Sequence, residues 1–296
     1  CNSSACISCG ACATVCDQEC FARDADNRVV VADDSACWSC GHCARVCPRD
    51  AVSVPGMSEV AMHLSTVAAE EVRETEITPA MAAKLVGLRM STRNFKADVP
   101  AANVLTDIVS LASCAPSGAG CDPCRYTVVS GPDAMAPLVD NDPIAKMKAK
   151  GPMPKFATLF KKGRWFMEKF RMDRASHQEK EYRPLYGAPS LIMVSTAPAC
   201  TLGEDECGPW PHQDASYAVA HLQIAAAGLG LSTCELSMMA VEWNKDKKIR
   251  AAYGIPKHHT IHHVVAIGYR KGRPLRRGTY RQGVKVNVVD TRPEGI

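Results

Sequence analysis

An α+β chain in two unequal parts is what the sequence predicts, and three observations predict it. Ten of the 16 cysteines fall within the first 47 residues. The composition changes at Pro55-Gly56, after which residues 57–76 carry no cysteine but a charged run of Glu70, Glu71, Arg73, Glu74 and Glu76. From Thr78 onward, Met81, Leu85 and Leu88 recur at helical spacing, and a strand is expected among the histidines at 258–263, so helix and strand are both represented. The expected organisation is a small module over 1–56, a linker over 57–76 with helical character, and a larger α+β domain over 77–296.

With 296 residues, 46% hydrophobic and 22% charged, the chain has the composition of ordinary globular protein, which excludes a disordered tail or a collagen-like rod. No stretch approaches the roughly 18 uninterrupted apolar residues of a bilayer-spanning helix. No basic segment followed by an apolar run opens the chain. No transmembrane segment is therefore expected, and the expected location is the cytoplasm. The net charge of +4 is too small to indicate nucleic acid, and none is expected as a partner. The chain starts at Cys1 without an initiator methionine, which leaves room for residues before it. Clustered cysteines without a secretion signal favour thiolate ligation of metal over disulfides.

Cys6, Cys9, Cys12 and Cys16 form a C-x2-C-x2-C-x3-C run, and Cys37, Cys40, Cys43 and Cys47 repeat it, the second run followed by Pro48. Three cysteines at this spacing wrap three corners of a [4Fe-4S] cube, and in two-cluster proteins the fourth ligates the other cluster. The expected sets are Cys6, Cys9, Cys12 and Cys47 for one cluster and Cys37, Cys40, Cys43 and Cys16 for the second. Zinc knuckles also use C-x2-C pairs, but in paired spacing rather than as four cysteines in eleven residues, twice. The spacing resembles bacterial-type two-cluster ferredoxins over residues 1–56, with one departure: Asp17 stands where that pattern has proline. Between the runs Arg28, Val29, Val30 and Val31 predict a short strand, with Ala51, Val52, Ser53 and Val54 as its counterpart. Four arginines against seven carboxylates give this module −3 and leave +7 for the remainder, a division that suggests docking of one on the other.

In the larger part, Thr78-Pro79 opens a helix whose Met81, Leu85 and Leu88 are expected to face a core. It ends near Arg89-Met90-Ser91-Thr92-Arg93-Asn94-Phe95, and a second amphipathic helix is expected over 104–111. Two arginines four apart with a serine between them present guanidinium forks and a hydroxyl to one point, as a phosphate monoester requires. A solvated cationic helix end would carry the same residues.

These residues resemble the nitroreductase-like flavoprotein family. Arg89-Met90-Ser91-Thr92-Arg93-Asn94-Phe95 is similar to its R-x-S-x-R-x-F signature, and Ala115-Pro116-Ser117-Gly118 before Tyr126-Thr127-Val128-Val129 to its small-residue loop and strand. Asp214-Ala215-Ser216, running on to Ala227-Gly228-Leu229-Gly230-Leu231, resembles its long core helix. Gly254-Ile255-Pro256 and Val264-Val265-Ala266-Ile267-Gly268-Tyr269 resemble its closing strand. The resemblance implies FMN contacts at Arg89, Met90, Ser91 and Arg93, at Pro116, Ser117, Gly118, Gly120 and Asp122, and at Pro189, Leu236 and Ser237. It implies a second phosphate contact at Arg273 and Arg276. No G-x-G-x-x-G loop is present to take the pyrophosphate of FAD. Gly120, Asp122 and Cys124 stand where the family usually has asparagine, glutamine and tryptophan near the ring, so a polar contact at Gly120 must come from backbone or be absent.

Three features fall outside that pattern. Cys121 and Cys124, and Cys200 and Cys207, read as a third metal site, a redox-active disulfide, substrate-facing thiols, or small buried residues. Residues 140–186 read as an insertion whose span 146–180 holds eleven basic residues against Glu168, Asp173 and Glu179. A lid, a docking face for an acidic redox partner, a membrane-surface helix or a solvated helix on the core would each fit. His258, His259, His262 and His263 lie around a strand and read as ordinary surface or core histidines.

Together the resemblances imply a homodimeric oxidoreductase with FMN and two [4Fe-4S] clusters. Its expected partners are a low-potential electron donor (a ferredoxin, a flavodoxin or NAD(P)H) and a small electrophilic substrate of nitroaromatic type. Ene reduction, dehalogenation, flavin or quinone reduction, and a non-catalytic electron-transfer or redox-sensing role are the alternatives. The catalytic chemistry is expected at flavin N5, with no side chain assigned to it.

Overall fold

The structure, a computed structural model, describes residues 1–35, 37–54, 64–68, 71, 75–143, 184–199 and 210–272. The cysteine repeat is also a backbone repeat. Helices α1 (Ala11–Thr14) and α2 (His42–Arg45) each begin after a glycine in the left-handed region, Gly10 with φ 83° and Gly41 with φ 71°. At corresponding places in the two runs, Ser8 and Ser39 have φ 51° and 50°, and Glu19 and Asp50 have φ 53° and 47°. Between the runs β1 (Phe21–Arg23) pairs antiparallel with β2 (Val29–Val31). Their turn is held by Asp24, whose Oδ1 accepts from the N–H groups of Asp26 and Arg28 at 3.0 and 2.8 Å.

The strand expected over 51–54 is corrected: these residues form none, and β1 is the partner of β2. The backbone of Ala51 is committed elsewhere. Its N–H donates to Cys47 Sγ at 3.2 Å, and its carbonyl accepts from Asn2 N–H at 2.7 Å.

Helix α3 (Pro79–Leu88) opens as expected, with Thr78 Oγ1 accepting from Met81 N–H at 3.2 Å. Its apolar face does not point into a core. Met81 and Leu85 are 45% and 37% exposed, because α3 lies outside the sheet's layers, with Leu85 over the end of the long helix at Gly228. Helix α4 (Ala102–Ala112) follows and buries Leu105, Ile108 and Ala112.

Among the described residues the larger domain is built on four antiparallel strands in the order β3-β4-β6-β5, from β3 (Arg125–Ser130), β4 (Ser190–Thr196), β5 (Ser232–Glu235) and β6 (Thr260–Gly268). Every residue of β4 is buried, so the sheet must be covered on both faces. Alternate side chains do this. Ile192, Val194, Val265 and Ile267 meet Leu105 and Ile108 of α4 and Val219 and Leu222 of α6 (Pro211–Gly228) on one face. Leu191, Met193, Val264 and Ala266 meet residues of α5 (Pro132–Asp140), α7 (Ser237–Trp243) and α8 (Lys247–Ala252) on the other, among them Leu138, Trp243 and Ile249. Full burial of each such aliphatic side chain contributes roughly 1.5–3 kcal/mol.

The basic span expected at 146–180 lies outside the described residues, as do Cys200, Cys207, Arg273, Arg276 and most of 57–76. The described ends of the 140–186 insertion are tied together: buried Asp142 Oδ2 accepts the N–H of Leu185 at 2.9 Å.

Candidate cofactor sites

In the module, the structure brings Cys6, Cys9, Cys12 and Cys47 to one recess, together with Val29, Pro48 and Ala51. Burial pushes the Cys12 thiol up, and the neighbouring Cys6 and Cys47 thiols add to the rise. Burial likewise raises Cys43, with Cys40 and then Cys16 contributing, so Cys16 sits with the second run and Cys47 with the first. Backbone N–H groups point at sulfur in both runs, from Ser8 to Cys6 and from Ser39 to Cys37 at 3.4 Å each. Such bonds favour thiolate and tune cluster potential. Among the described residues no three His, Cys, Asp or Glu side chains converge as the ligands of a single ion would. Spacing gave no sign of Cys20, which is buried between Cys16 and Cys37 and whose thiol burial pushes up to about 11.

In the larger domain, residues 91–95 are laced along the sheet. Ser91 bridges Thr233 in parallel, Thr92 N–H donates to Thr233 O at 2.9 Å, and Phe95 bridges Arg270. Lys96 N–H reaches Tyr269 O at 2.7 Å, and Lys271 N–H reaches Asn94 O at 2.9 Å. Phe95 is the buried anchor of this segment, in the core cluster with Leu236. Gly268 lets it approach, since a Cβ there would lie 2.7 Å from Pro189 Cδ and 3.4 Å from Phe95 Cδ1. Arg93 and Arg89 both lie close enough to Cys234 for their charges to oppose the rise that burial imposes on its thiol. The two guanidinium groups of the motif therefore share one neighbourhood, with Ser91 on the same laced segment.

Two participants escaped the sequence. Arg270 Nη1, at the head of the basic run in which Arg273 and Arg276 are the expected contacts, donates to Met90 Sδ at 3.4 Å. Tyr186 lies under the Arg93 guanidinium, 6.0 Å from ring centre to Cζ, in a left-handed backbone with φ 59°. Ser237 begins α7 directly after Leu236, whose N–H bonds Val264 O at 2.7 Å.

The loop from Pro116 is fastened at two points. Gly118 N–H donates to Asp214 Oδ1 at 3.0 Å, and Asp122 N–H to Ser117 Oγ at 2.9 Å. Gly120 and Asp122 have φ 69° and 41°. Burial lifts the carboxyls of Asp214 and Asp122 above the ordinary range, Asp214 adding to the rise at Asp122. Burial raises the Cys124 thiol to about 12, with both carboxylates contributing. Asp214 Oδ2 and Tyr126 Oη are buried and have no hydrogen-bond partner of good geometry among the described residues. Cys121 and Cys124 are both free thiols.

The histidines near β6 form a polar network. His262 Nε2 lies 2.8 Å from Thr196 Oγ1 and its Nδ1 3.3 Å from His212 Nδ1, while His263 Nδ1 lies 2.6 Å from Glu235 Oε1. His259, almost fully buried, meets Ser195 Oγ through Nδ1 at 3.3 Å.

Comparison with known proteins places this architecture. The model of the nitroreductase family matches residues 87–269, and that of the 4Fe-4S dicluster domain matches residues 5–51. The chain belongs to the nitroreductase family and is an oxidoreductase of that family with a ferredoxin-type segment ahead of it. Similar solved structures include a nitroreductase with bound FMN from Bacteroides fragilis, at 23% identity, TM-score 0.51, over 72% of this chain and 100% of that one. Another, a nitroreductase with bound FMN from Desulfitobacterium hafniense, has 20% identity and TM-score 0.52 over 70% of this chain and 97% of its own. An FMN-dependent nitroreductase from Clostridium difficile has 16% identity and TM-score 0.51 over 71% and 100%. At these identities the likeness is one of fold. No match was found among curated proteins. No helix among the described residues is long and apolar enough to cross a membrane.

Proposed function

We propose that this chain is an iron-sulfur flavoprotein that passes electrons from a low-potential donor through two [4Fe-4S] clusters to FMN, and on to an electrophilic organic substrate of nitroaromatic type. Residues 1–56 form the input module, 57–76 the linker and 77–296 the FMN domain. The observation that carries the reading is that one chain gathers four thiols of the crossed set in a single recess and, in its larger domain, brings Arg89 and Arg93 to the same neighbourhood of β5.

The donor chemistry fits both groups. Cys6, Cys9, Cys12 and Cys47 would hold one cluster, and Cys37, Cys40, Cys43 and Cys16 the other. Arg89, Ser91 and Arg93 would hold the FMN phosphate, with Arg273 and Arg276 as the second contact and Met90 beside them. Pro116, Ser117, Gly118, Gly120 and Asp122 would border the ring, with Pro189, Leu236 and Ser237. The orphaned buried oxygens of Asp214 and Tyr126 beside that loop are what a bound polar group would satisfy. Bound FMN would supply hydride and the clusters single electrons; the protein positions them and tunes their potentials. That two similar structures hold FMN supports the assignment.

The donor is a ferredoxin or flavodoxin, or NAD(P)H, and the location is the cytoplasm, whose reducing poise suits unpaired thiols. A second copy of the chain completes the assembly, a reading supported by the exposed apolar Ile77, Met81 and Val86 on or beside α3. The test is anaerobic reoxidation of the reduced protein by a panel of nitro, enone, quinone and halogenated compounds. Fastest reoxidation by nitro compounds is expected; no reoxidation by any of them would leave electron transfer alone as the function.

A further inference from the structure

The structure assigns a docking site for the module on its own larger domain: the loop between Cys37 and Cys40 is seated, through its backbone at Trp38 and Ser39, on the turn at Gly118–Gly120. The cluster held by Cys37, Cys40, Cys43 and Cys16 is then the one from which electrons leave for the flavin. The second clause rests on the function proposed above; the first does not.

Gly120 carries the inference. A Cβ at this position would collide with the Trp38 carbonyl oxygen, and Ser39 carbon would be 3.6 Å away. The backbone of the module thus occupies the space where any other residue would place its side chain. With φ 69° the turn also adopts a conformation that glycine enters without strain. This gives a physical reason for glycine at this position: the space of a side chain is taken by the loop of the module.

Two further observations agree. The Arg45 guanidinium, on α2 of the module, lies close enough to Cys114 to oppose the rise that burial imposes on that thiol, so a second point of the module faces the larger domain beside the same loop. The net charges of −3 and +7 on the two parts favour the encounter. The contact at Gly120 is made by the second cysteine run. The Cys6 to Cys12 loop instead carries Arg23 close beside Gly10, with Arg23 Nη2 donating to Ser8 O at 3.3 Å.

Electron tunnelling falls steeply with distance, so the run in contact sets the exit. With FMN bound, two single-electron transfers across the contact and one proton from solvent would provide its two-electron reduction, both electrons coming from an external low-potential ferredoxin or flavodoxin.

The test uses the intact chain, isolated anaerobically, and two variants, Gly120→Ala and Arg45→Glu. Hydrogen exchange is followed in peptides covering 36–41 and 117–123, beside iron and FMN content and single-turnover transfer from reduced clusters to flavin. Docking predicts slow exchange in both peptides of the wild type at every protein concentration, and at least tenfold faster exchange in both peptides together in each variant, with exchange over 5–12 unchanged. The exit assignment predicts transfer slowed at least tenfold in Arg45→Glu at wild-type iron content. Unprotected exchange in the wild type, or variants that leave it unchanged, would overturn the docking. Unaltered transfer despite loosened peptides would overturn the exit assignment. Protected loops in a wild-type protein without FMN would uphold the docking and defeat the flavin reading instead.

Discussion

Gly118 and Asp214 are joined by a 3.0 Å hydrogen bond from a backbone N–H to Oδ1, across 96 residues of sequence. The bond clips the loop at Pro116–Gly120 to the first turn of α6. Because Asp214 is 3% exposed and its other oxygen has no partner among the described residues, this bond does double duty: it orders the loop and keeps a carboxyl buried. Asp214→Ala is expected to destabilise the protein by about 2 kcal/mol, the scale of a lost buried bond to a charged or polar acceptor. Asp214→Asn keeps the acceptor and is expected to lose less than half of that. Chemical denaturation of both variants checks the pair; equal losses would show that the carboxyl, not the clip, matters.

Arg93→Ala is expected to weaken FMN retention at least tenfold while iron content stays the same, since Arg93 stands at the proposed phosphate in the larger domain and the cluster thiols belong to the module. Removing one charge-assisted contact is worth roughly 1.5–3 kcal/mol. Flavin and iron assays on the same preparation decide it. FAD as the extracted cofactor, or flavin retained at wild-type level, would contradict the phosphate assignment.

The two crossed thiol sets predict about eight iron and about eight acid-labile sulfide per chain after anaerobic purification. Cys47→Ser should then disturb the cluster of the first run, since Cys47 lies with Cys6, Cys9 and Cys12. Electron paramagnetic resonance of the reduced variant checks which signal changes. Stoichiometric zinc, or loss confined to the second run's cluster, would contradict the ligand sets.

His262 links acid stability to the network at β6. Burial, with His212, His263 and His259 adding like charge, pushes its pKa down to about 4 from the ordinary 6.5. A base depressed in the folded state is protonated more readily when unfolded, so its contribution is full above pH 6.5 and is lost as pH falls toward 4. Replacing His262 by Gln should flatten the fall in melting temperature between pH 6.5 and 4 while retaining a polar contact with Thr196. An unchanged acid limb would contradict this source.

How much of this was legible in the sequence differs between its parts. The thiol runs were readable because ligand spacing is local chemistry, and the structure repeats even their left-handed positions, Ser8 with Ser39 and Gly10 with Gly41. Helix α4 was readable from its period, since Leu105, Ile108 and Ala112 are buried along it, whereas α6, β3 and β6 were readable through the family resemblance: β3 buries only Val129, and β6 is buried almost throughout. The face of α3 misled, because Met81 and Leu85 have the spacing of core residues without a layer of described residues above them. Residues 51–54 misled as well, since β-branched composition says nothing about a backbone already bonded to Cys47 and Asn2. Tyr186, Arg270 and Asp214 come to the candidate site through tertiary contacts across 93, 180 and 96 residues, or thereabouts, and no local pattern announces such pairs.

The central claim, that electrons enter through the module and reach flavin within the chain, is tested most directly by rapid anaerobic mixing of the holoprotein with a reduced ferredoxin, following cluster and flavin absorbance together. Cluster bleaching should come first, at a rate that rises with donor concentration and falls with salt, and flavin bleaching second, at a rate independent of donor concentration. Flavin bleaching that precedes the clusters, or that runs at full rate with NADPH in a Cys37→Ser, Cys40→Ser double variant, would contradict it.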